Sequence, residues 1–195
     1  MIRVIQHNSA RSYEWTIGAL EMGVERSADV VCLQEPPREK GGIGISHSAN
    51  DIRTRKRVWT AIQRGSGLVV DERMDLSRGA NDNVIATDVR RRKETITRIV
   101  NVYDRKDTQS GERSAWKLNW QRVTRQGGTV LAGDFNPHST RWDPTCQVQR
   151  DAMFWEDVID ENGVEIGNDG RATHTAQEKV IRASRSSTCR WRIDQ

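Results

Sequence analysis

The segment Thr129-Val130-Leu131-Ala132 is short and apolar, with Gly127-Gly128 before it and Gly133 after it. Small and β-branched residues between glycine breakers read as a buried strand. That strand runs without a spacer into Asp134-Phe135-Asn136-Pro137-His138. If the chain stays extended, alternation places Asp134 and Asn136 on one side. Gly133 admits a ligand or another backbone at close range. A carboxylate and a carboxamide delivered from a buried strand form either a functional pair or an Asx-type turn that caps the strand.

The N-terminal third repeats this arrangement. Met1 to Gln6 reads as a strand and leads into Gln6-His7-Asn8. Ser12 to about Ser27 has helical spacing (Ile17, Leu20, Val24), with Ser12 as the N-cap. Asp29 to Leu33 is too apolar for an edge strand, and Pro36-Pro37 stops it after Gln34-Glu35. This is a β-α-β unit whose strands both end in polar residues, the usual place for ligands in α/β proteins.

Further on, residues 39 to 50 read as a loop, and 57 to 62 and 67 to 70 as strands. Val84–Val89 and residues 95 to 103 read as the arms of a long hairpin, with a basic tip at 90 to 94. Gly111 to Gln126 reads as a helix with Trp116, Trp120 and Val123 on one apolar stripe, more consistent with core than with a base-stacking platform. A loop from Pro137 to Cys146 holds Trp142. A helix spans Val148 to about Glu161, and Val164-Glu165-Ile166 is a short strand. Strands interleaved with helices make a mixed α/β class.

At 195 residues one domain is the default. The net charge of +4 and pI near 9.2 arise partly from two runs, Arg53-Thr54-Arg55-Lys56-Arg57 and Arg90-Arg91-Arg92-Lys93. Such runs suit a polyanion such as nucleic acid, or form a solvated face. Three cysteines (Cys32, Cys146, Cys189) without CxxC spacing fit a reducing, intracellular setting, with Cys32 a small core residue. No apolar run approaches membrane-spanning length, so no membrane partner is expected.

Strand ends now carry Asn8, Glu35, Tyr103, Asp134 and Asn136. Carboxylate and carboxamide oxygens suit a hard cation such as Mg²⁺, which takes one or two carboxylates plus phosphate and water. Such a metal offsets charge on a phosphodiester, while tyrosine hydroxyl and asparagine amide donate to its oxygens. No Cys/His cluster for zinc is evident.

In this order, Gln6-His7-Asn8, Leu33-Gln34-Glu35, Asn101-Val102-Tyr103, Gly133-Asp134-Phe135-Asn136 and Thr173-His174 resemble the endonuclease/exonuclease/phosphatase superfamily. Leu33-Gln34-Glu35-Pro36, the Trp142-containing loop and Asn168-Asp169-Gly170-Arg171-Ala172-Thr173-His174 look most like the apurinic-type endonuclease domain of LINE-type (non-LTR) retrotransposons, Tad-like fungal elements in particular. The resemblance implies an α/β fold of two facing β-sheets flanked by helices, DNase I-like. It implies Mg²⁺-dependent (or Mn²⁺-dependent) nicking of DNA that primes reverse transcription, in a chain fused to a reverse transcriptase and working in the nucleus. Residue by residue it implies Glu35 as metal ligand with Asn8 beside it, Tyr103 on the phosphate, and Asp134 orienting or deprotonating the attacking water. Asn136 and Thr173 join Asn8 and Tyr103 as phosphate or DNA contacts.

The chain departs from the pattern at its end. The family finishes in a Ser-Asp-His strand; none of the four histidines (His7, His47, His138, His174) lies in one. The family's late acidic position falls on Arg182, or in a rival alignment on Asp194. The expectation is a single domain over residues 1–195, incomplete at its C-terminus. Its last strand or strands are missing, residues 179–195 form an atypical tail, and its nicking is weak or lost. Competing readings are a phosphomonoesterase of the same fold and a non-catalytic nucleic-acid-binding remnant.

Overall fold

The computed structural model describes residues 2–37, 46–92, 94, 96–108, 110–124, 128–144, 146–166 and 192–193, with backbone alone at 81, 192 and 193. The elements are β1 (Val4–Asn8), α1 (Tyr13–Glu25), β2 (Val30–Gln34), β3 (Asn50–Thr54), β4 (Val58–Gln63), β5 (Leu68–Glu72), α2 (Met74–Ser77), β6 (Val84–Arg91), β7 (Thr97–Tyr103), α3 (Trp120–Thr124), β8 (Thr129–Asp134), α4 (Ala152–Asn162), β9 (Val164–Glu165) and β10 (Arg192–Ile193). Single 3₁₀ turns occupy Asn81–Asn83 and Ser114–Lys117.

Two mixed four-stranded sheets face each other, in the orders β1-β2-β4-β3 and β5-β6-β7-β8. Each contains one parallel pair. β1 runs with β2, aligning Asn8 with Gln34, and β7 runs with β8, aligning Tyr103 with Asp134. The remaining pairings within these sheets are antiparallel. Strand alternation divides the apolar residues into layers. Ile5, Val31, Leu33, Trp59 and Ala61 pack with Ala19 and Leu20 of α1. Val30, Cys32, Ile62, Val89, Ile99 and Ala132 fill the space between the sheets. Val100, Val102 and Leu131 pack with Trp120 and Val123 of α3 and with Trp155, Val158 and Ile159 of α4. The result is helix, sheet, sheet, helix, the expected fold class.

Polar groups tie the two sheets together. Gln6 Nε2 donates to Gln34 Oε1 at 2.5 Å, and Gln34 Nε2 donates to Asn101 Oδ1 at 2.6 Å. Asn101 Nδ2 then crosses from β7 to the carbonyl of Trp59 on β4, 2.7 Å away. Gln34 and Asn101 are fully buried. Removing one of these amides would leave a buried partner unsatisfied, which costs about 1–3 kcal/mol.

The β5-β6-β7-β8 sheet holds a second buried polar group. Asp88 (β6) faces Arg98 (β7) across the strands, with Arg98 Nε and Nη2 on its two oxygens at 2.7 and 3.0 Å. Arg73 Nη1 adds a 2.8 Å bond to Asp88 Oδ2, and Arg98 Nη1 also reaches the Val123 carbonyl at the end of α3. Burial pushes the Asp88 carboxyl up, but Arg98 and Arg73 outweigh it and hold the group below the ordinary carboxylate range.

Several boundaries correct the sequence reading. The first strand is Val4–Asn8 rather than 1–6, so it carries Asn8 to the sheet end. The stretch from 111 to 126 is not one helix: among its described residues a 3₁₀ turn at Ser114–Lys117 precedes the short α3. Trp120 Nε1 satisfies the Ala115 carbonyl across that break, and Trp116 stacks on Phe154 at 4.6 Å. The tryptophans there are core, as expected. β3 covers Asn50–Thr54, where polarity masked an edge strand. α4 starts at Ala152, four residues later than its apolar pattern begins. Cys32 lies in the core as expected, and burial pushes its thiol up to about 12. Residues 179–191, the Asp169-Gly170 turn, Thr173, His174, Arg182, Cys189 and Asp194 lie outside the described residues.

Candidate active site

The carboxyl ends of the two parallel strand pairs meet at one end of the sandwich. On β1, alternation turns Gln6 and Asn8 toward the opposite sheet and His7 toward α1. Asn8 Nδ2 therefore reaches Asp134 Oδ2 of the other sheet, 2.8 Å away. His7 is buried with its ring 6.3 Å from Trp15, its Nε2 lacks a hydrogen-bond partner among the described residues, and burial lowers its pKa. It takes no part in the site.

Glu35 follows β2, and continued alternation would turn it toward α1 with Leu33. Instead its φ is +46°, in the left-handed region that non-glycine residues avoid at a cost on the order of 1–3 kcal/mol. Two backbone bonds hold it there: its N–H donates to the Arg57 carbonyl (3.0 Å) and its carbonyl accepts from Arg11 N–H (2.7 Å). The twist brings its carboxylate to Tyr103, whose hydroxyl donates to Glu35 Oε1 at 2.7 Å. Arg11 and Arg105 approach the same oxygen at 3.6 and 3.9 Å.

Tyr103 stands on Val58 and Ile85, and burial together with Glu35 raises its pKa far above the ordinary range. Its hydroxyl is thus a proton donor throughout the neutral range. Its neighbour Asp104 was missed by sequence reasoning. The Asp104 backbone N–H donates to the Asp134 carbonyl (2.8 Å), extending the β7–β8 ladder past the site. Its fully buried carboxylate accepts from Trp155 Nε1 (2.7 Å) and Trp116 Nε1 (3.2 Å), with burial pushing its pKa up. Arg11 and Arg105 were also missed; no residue-type signal separates them from the chain's other arginines.

Gly133 allows the close approach expected of it. A Cβ there would lie 2.1 Å from the Val102 carbonyl oxygen, so it is the β7 backbone that comes close. Asn136 departs from expectation: its φ is +58°, so the chain does not stay extended beyond Asp134. The Asn136 N–H returns to Asp134 Oδ1 at 3.1 Å, an Asx turn that also orients the carboxylate. Asn136 itself is exposed beside Asp134. Asn8, Glu35, Tyr103, Asp134 and Asn136 are thus brought together, whereas Thr173 lies outside the described residues.

The two basic runs part company. The Arg57 carbonyl holds the Glu35 N–H, so the β3–β4 turn sits at the site end. Arg91 pairs with Asp29 at the start of β2 (2.7 Å), so the β6–β7 tip lies at the opposite end. One grouping was not legible in the sequence: the loop after Asn136 folds His138, Asp143 and Cys146 together, their ligand atoms all within 4.8 Å of one another.

No protein-family model and no curated protein matches the chain. Solved structures do. The endonuclease domain of TRAS1, a telomere-specific non-LTR retrotransposon, is similar with a TM-score of 0.72 and 20% identity, over 98% of this chain and 83% of that one. The AP endonuclease LMAP from Leishmania major has a TM-score of 0.62 at 14% identity, over 84% and 67%. An endonuclease/exonuclease/phosphatase family protein from Leptotrichia buccalis C-1013-b has 0.57 at 10%, over 98% and 87%. The chain therefore has the DNase I-like fold of endonuclease/exonuclease/phosphatase proteins.

Proposed function

We propose that the chain is a divalent-metal-dependent phosphodiesterase that nicks DNA. The observation that carries this reading is the pairing of Asn8 with Asp134 and of Tyr103 with Glu35 where both parallel strand pairs end. The donor set fits a hard cation: Glu35 would offer a carboxylate oxygen and Asn8 its carboxamide oxygen, which also accepts from the Ala10 N–H. Bound there, Mg²⁺ or Mn²⁺ would neutralise charge on a phosphate oxygen. Asp134, oriented by Asn8 and by the Asn136 N–H, positions the attacking water and takes its proton. The Asn136 amide donates to a phosphate oxygen, and Tyr103 does so once its single hydroxyl proton turns from Glu35 Oε1 to the phosphate. As the new P–O bond forms, the P–O bond to the leaving sugar oxygen breaks. The likeness to a retrotransposon endonuclease supports DNA as substrate and, in a parent element, fusion to a reverse transcriptase acting in the nucleus. With no Ser-Asp-His in the 195 residues, the rate is expected to fall below that of a site with this pair by about 10²–10⁴, the worth of one acid–base group.

The test is conversion of supercoiled plasmid to open circle by the folded chain. Nicking with Mg²⁺ that stops in EDTA, beside inertness toward a phosphomonoester, is the expected result. Phosphomonoester turnover without nicking would move the reading to a phosphatase. Salt-sensitive binding without any cleavage would leave only a nucleic-acid-binding remnant.

The placement of the basic runs sharpens the DNA reading. Lys56→Ala with Arg57→Ala, at the site end, is expected to weaken DNA binding and flatten the log K against log [salt] slope by about 1 per lost phosphate contact. Arg90→Ala with Arg92→Ala, at the far end, leaves the slope unchanged. Salt titrations of binding that showed the reverse pattern would place the DNA at the other end of the sandwich.

A further inference from the structure

We propose that His138, Asp143 and Cys146 form a three-ligand site for a borderline divalent transition metal, Zn²⁺ above all, on the loop that follows Asn136. Among the described residues this is the one grouping of three such side chains whose ligand atoms converge, all within 4.8 Å of one another. His138 Nδ1 and Asp143 Oδ2 are 3.9 Å apart, too far for a hydrogen bond between them. Zinc bonds of about 2.0–2.3 Å put the ligand atoms of a tetrahedral shell roughly 3.3–3.7 Å apart. Closing the group onto a metal therefore needs movements of about an ångström or less.

The backbone already holds the three side chains in place. The Asp143 N–H donates to the Ser139 carbonyl (2.9 Å), the Cys146 N–H to the Asp143 carbonyl (3.1 Å) and the Gln149 N–H to the His138 carbonyl (2.9 Å). Ser139 is fully buried and its hydroxyl bonds Glu156 of α4, which fastens the loop to the body of the protein. Trp142 Nε1 closes on the Pro137 carbonyl at 3.1 Å. With all three ligands inside nine residues, little chain entropy opposes closure.

The donor chemistry selects the ion. Imidazole and thiolate favour Zn²⁺ and its neighbours over Mg²⁺ or Ca²⁺, which take oxygen. Three protein ligands leave a fourth position, and the His138 side chain is half exposed, so water has access to it. This site is chemically distinct from the proposed Mg²⁺ position at Glu35. Occupied, it would pin the segment that continues from the Asp134–Asn136 turn.

The test is a Co²⁺ titration of the full chain, followed by competition with Zn²⁺. One equivalent of Co²⁺ is expected to give a thiolate-to-metal charge-transfer band that Zn²⁺ abolishes. Cys146→Ser should remove the band, and both it and His138→Ala should weaken Zn²⁺ binding by at least about 10–100-fold, the loss seen even for residues that only support a ligand. Cys189→Ser and Asp134→Ala should keep the band, the first excluding the other thiol and the second separating this site from the proposed catalytic one. Circular dichroism confirms that each variant is folded. A band that survives Cys146→Ser, one that follows Cys189, or no band at all overturns the proposal and leaves the endonuclease reading untouched.

Discussion

Asp134→Ala is expected to bring Mg²⁺-dependent nicking down to background, a loss on the order of 10²–10⁴, with the fold retained. Asn8 Nδ2 holds Asp134 Oδ2 at 2.8 Å, and the Asn136 N–H holds its Oδ1 at 3.1 Å. Each contact comes from a different element, so the carboxylate is aimed before substrate arrives. Asp134→Asn keeps size and shape but loses the basic oxygen, and should be nearly as inactive as the alanine variant. Asn8→Ala removes one orienting bond to a charge, worth about 1.5–3 kcal/mol, and should slow nicking only by about 10–100-fold. Plasmid nicking under single-turnover conditions decides the matter. Activity in Asp134→Ala within a few-fold of the parent would remove this residue from the chemistry.

What the sequence made legible was the strand ends. Short apolar runs that stop at polar residues are a local signal, and β1, β2, β7 and β8 were each readable from it. Asn8, Glu35, Tyr103 and Asp134 were legible as polar residues at strand ends; that β7 runs parallel to β8 and that both parallel pairs end on one side is a tertiary fact. The details of aim were not legible. Glu35 takes a left-handed φ value that depends on a partner distant in sequence, the Arg57 carbonyl, whereas the left-handed φ of Asn136 belongs to the local Asx turn with Asp134 that its sequence already allowed. Alternation predicts the wrong direction for Glu35 and the wrong reason for Asn136. α3 was overread because Trp116, Trp120 and Val123 all pack into the core, Trp116 only partly buried, yet a 3₁₀ turn rather than one continuous helix delivers the first of them. β3 was missed because it buries little, and an edge strand carries too few apolar residues to announce itself. The role of Gln34 and Asn101 as fully buried links between the sheets is also a tertiary fact; in sequence they are only polar residues near strand ends.

Asp88→Ala is expected to cost about 3–5 kcal/mol of stability at neutral pH, the largest effect of any change remote from the site. Arg98 is the reason: its side chain is 2% exposed, so it cannot recover water when its partner is removed. It would keep the Val123 carbonyl at 2.9 Å but not a counter-charge. Arg73, 26% exposed, can turn fully to Asp75 and solvent. The cost therefore reflects a stranded charge rather than the worth of the pair, and a control follows. Asp88→Leu with Arg98→Met removes both charges and should be less damaging than Asp88→Ala alone. The pH dependence has a definite sign. Because Asp88 titrates below its ordinary value in the folded protein, its contribution is full above about pH 4. It is lost as the pH falls through the lowered folded value. Urea melts of the parent should show this loss below pH 4, and those of Asp88→Ala should show less of it. A destabilisation under about 1 kcal/mol at pH 7, or a double variant worse than the single one, would mean that Arg98 finds another partner and that the pair does not hold β6 and β7 to α3.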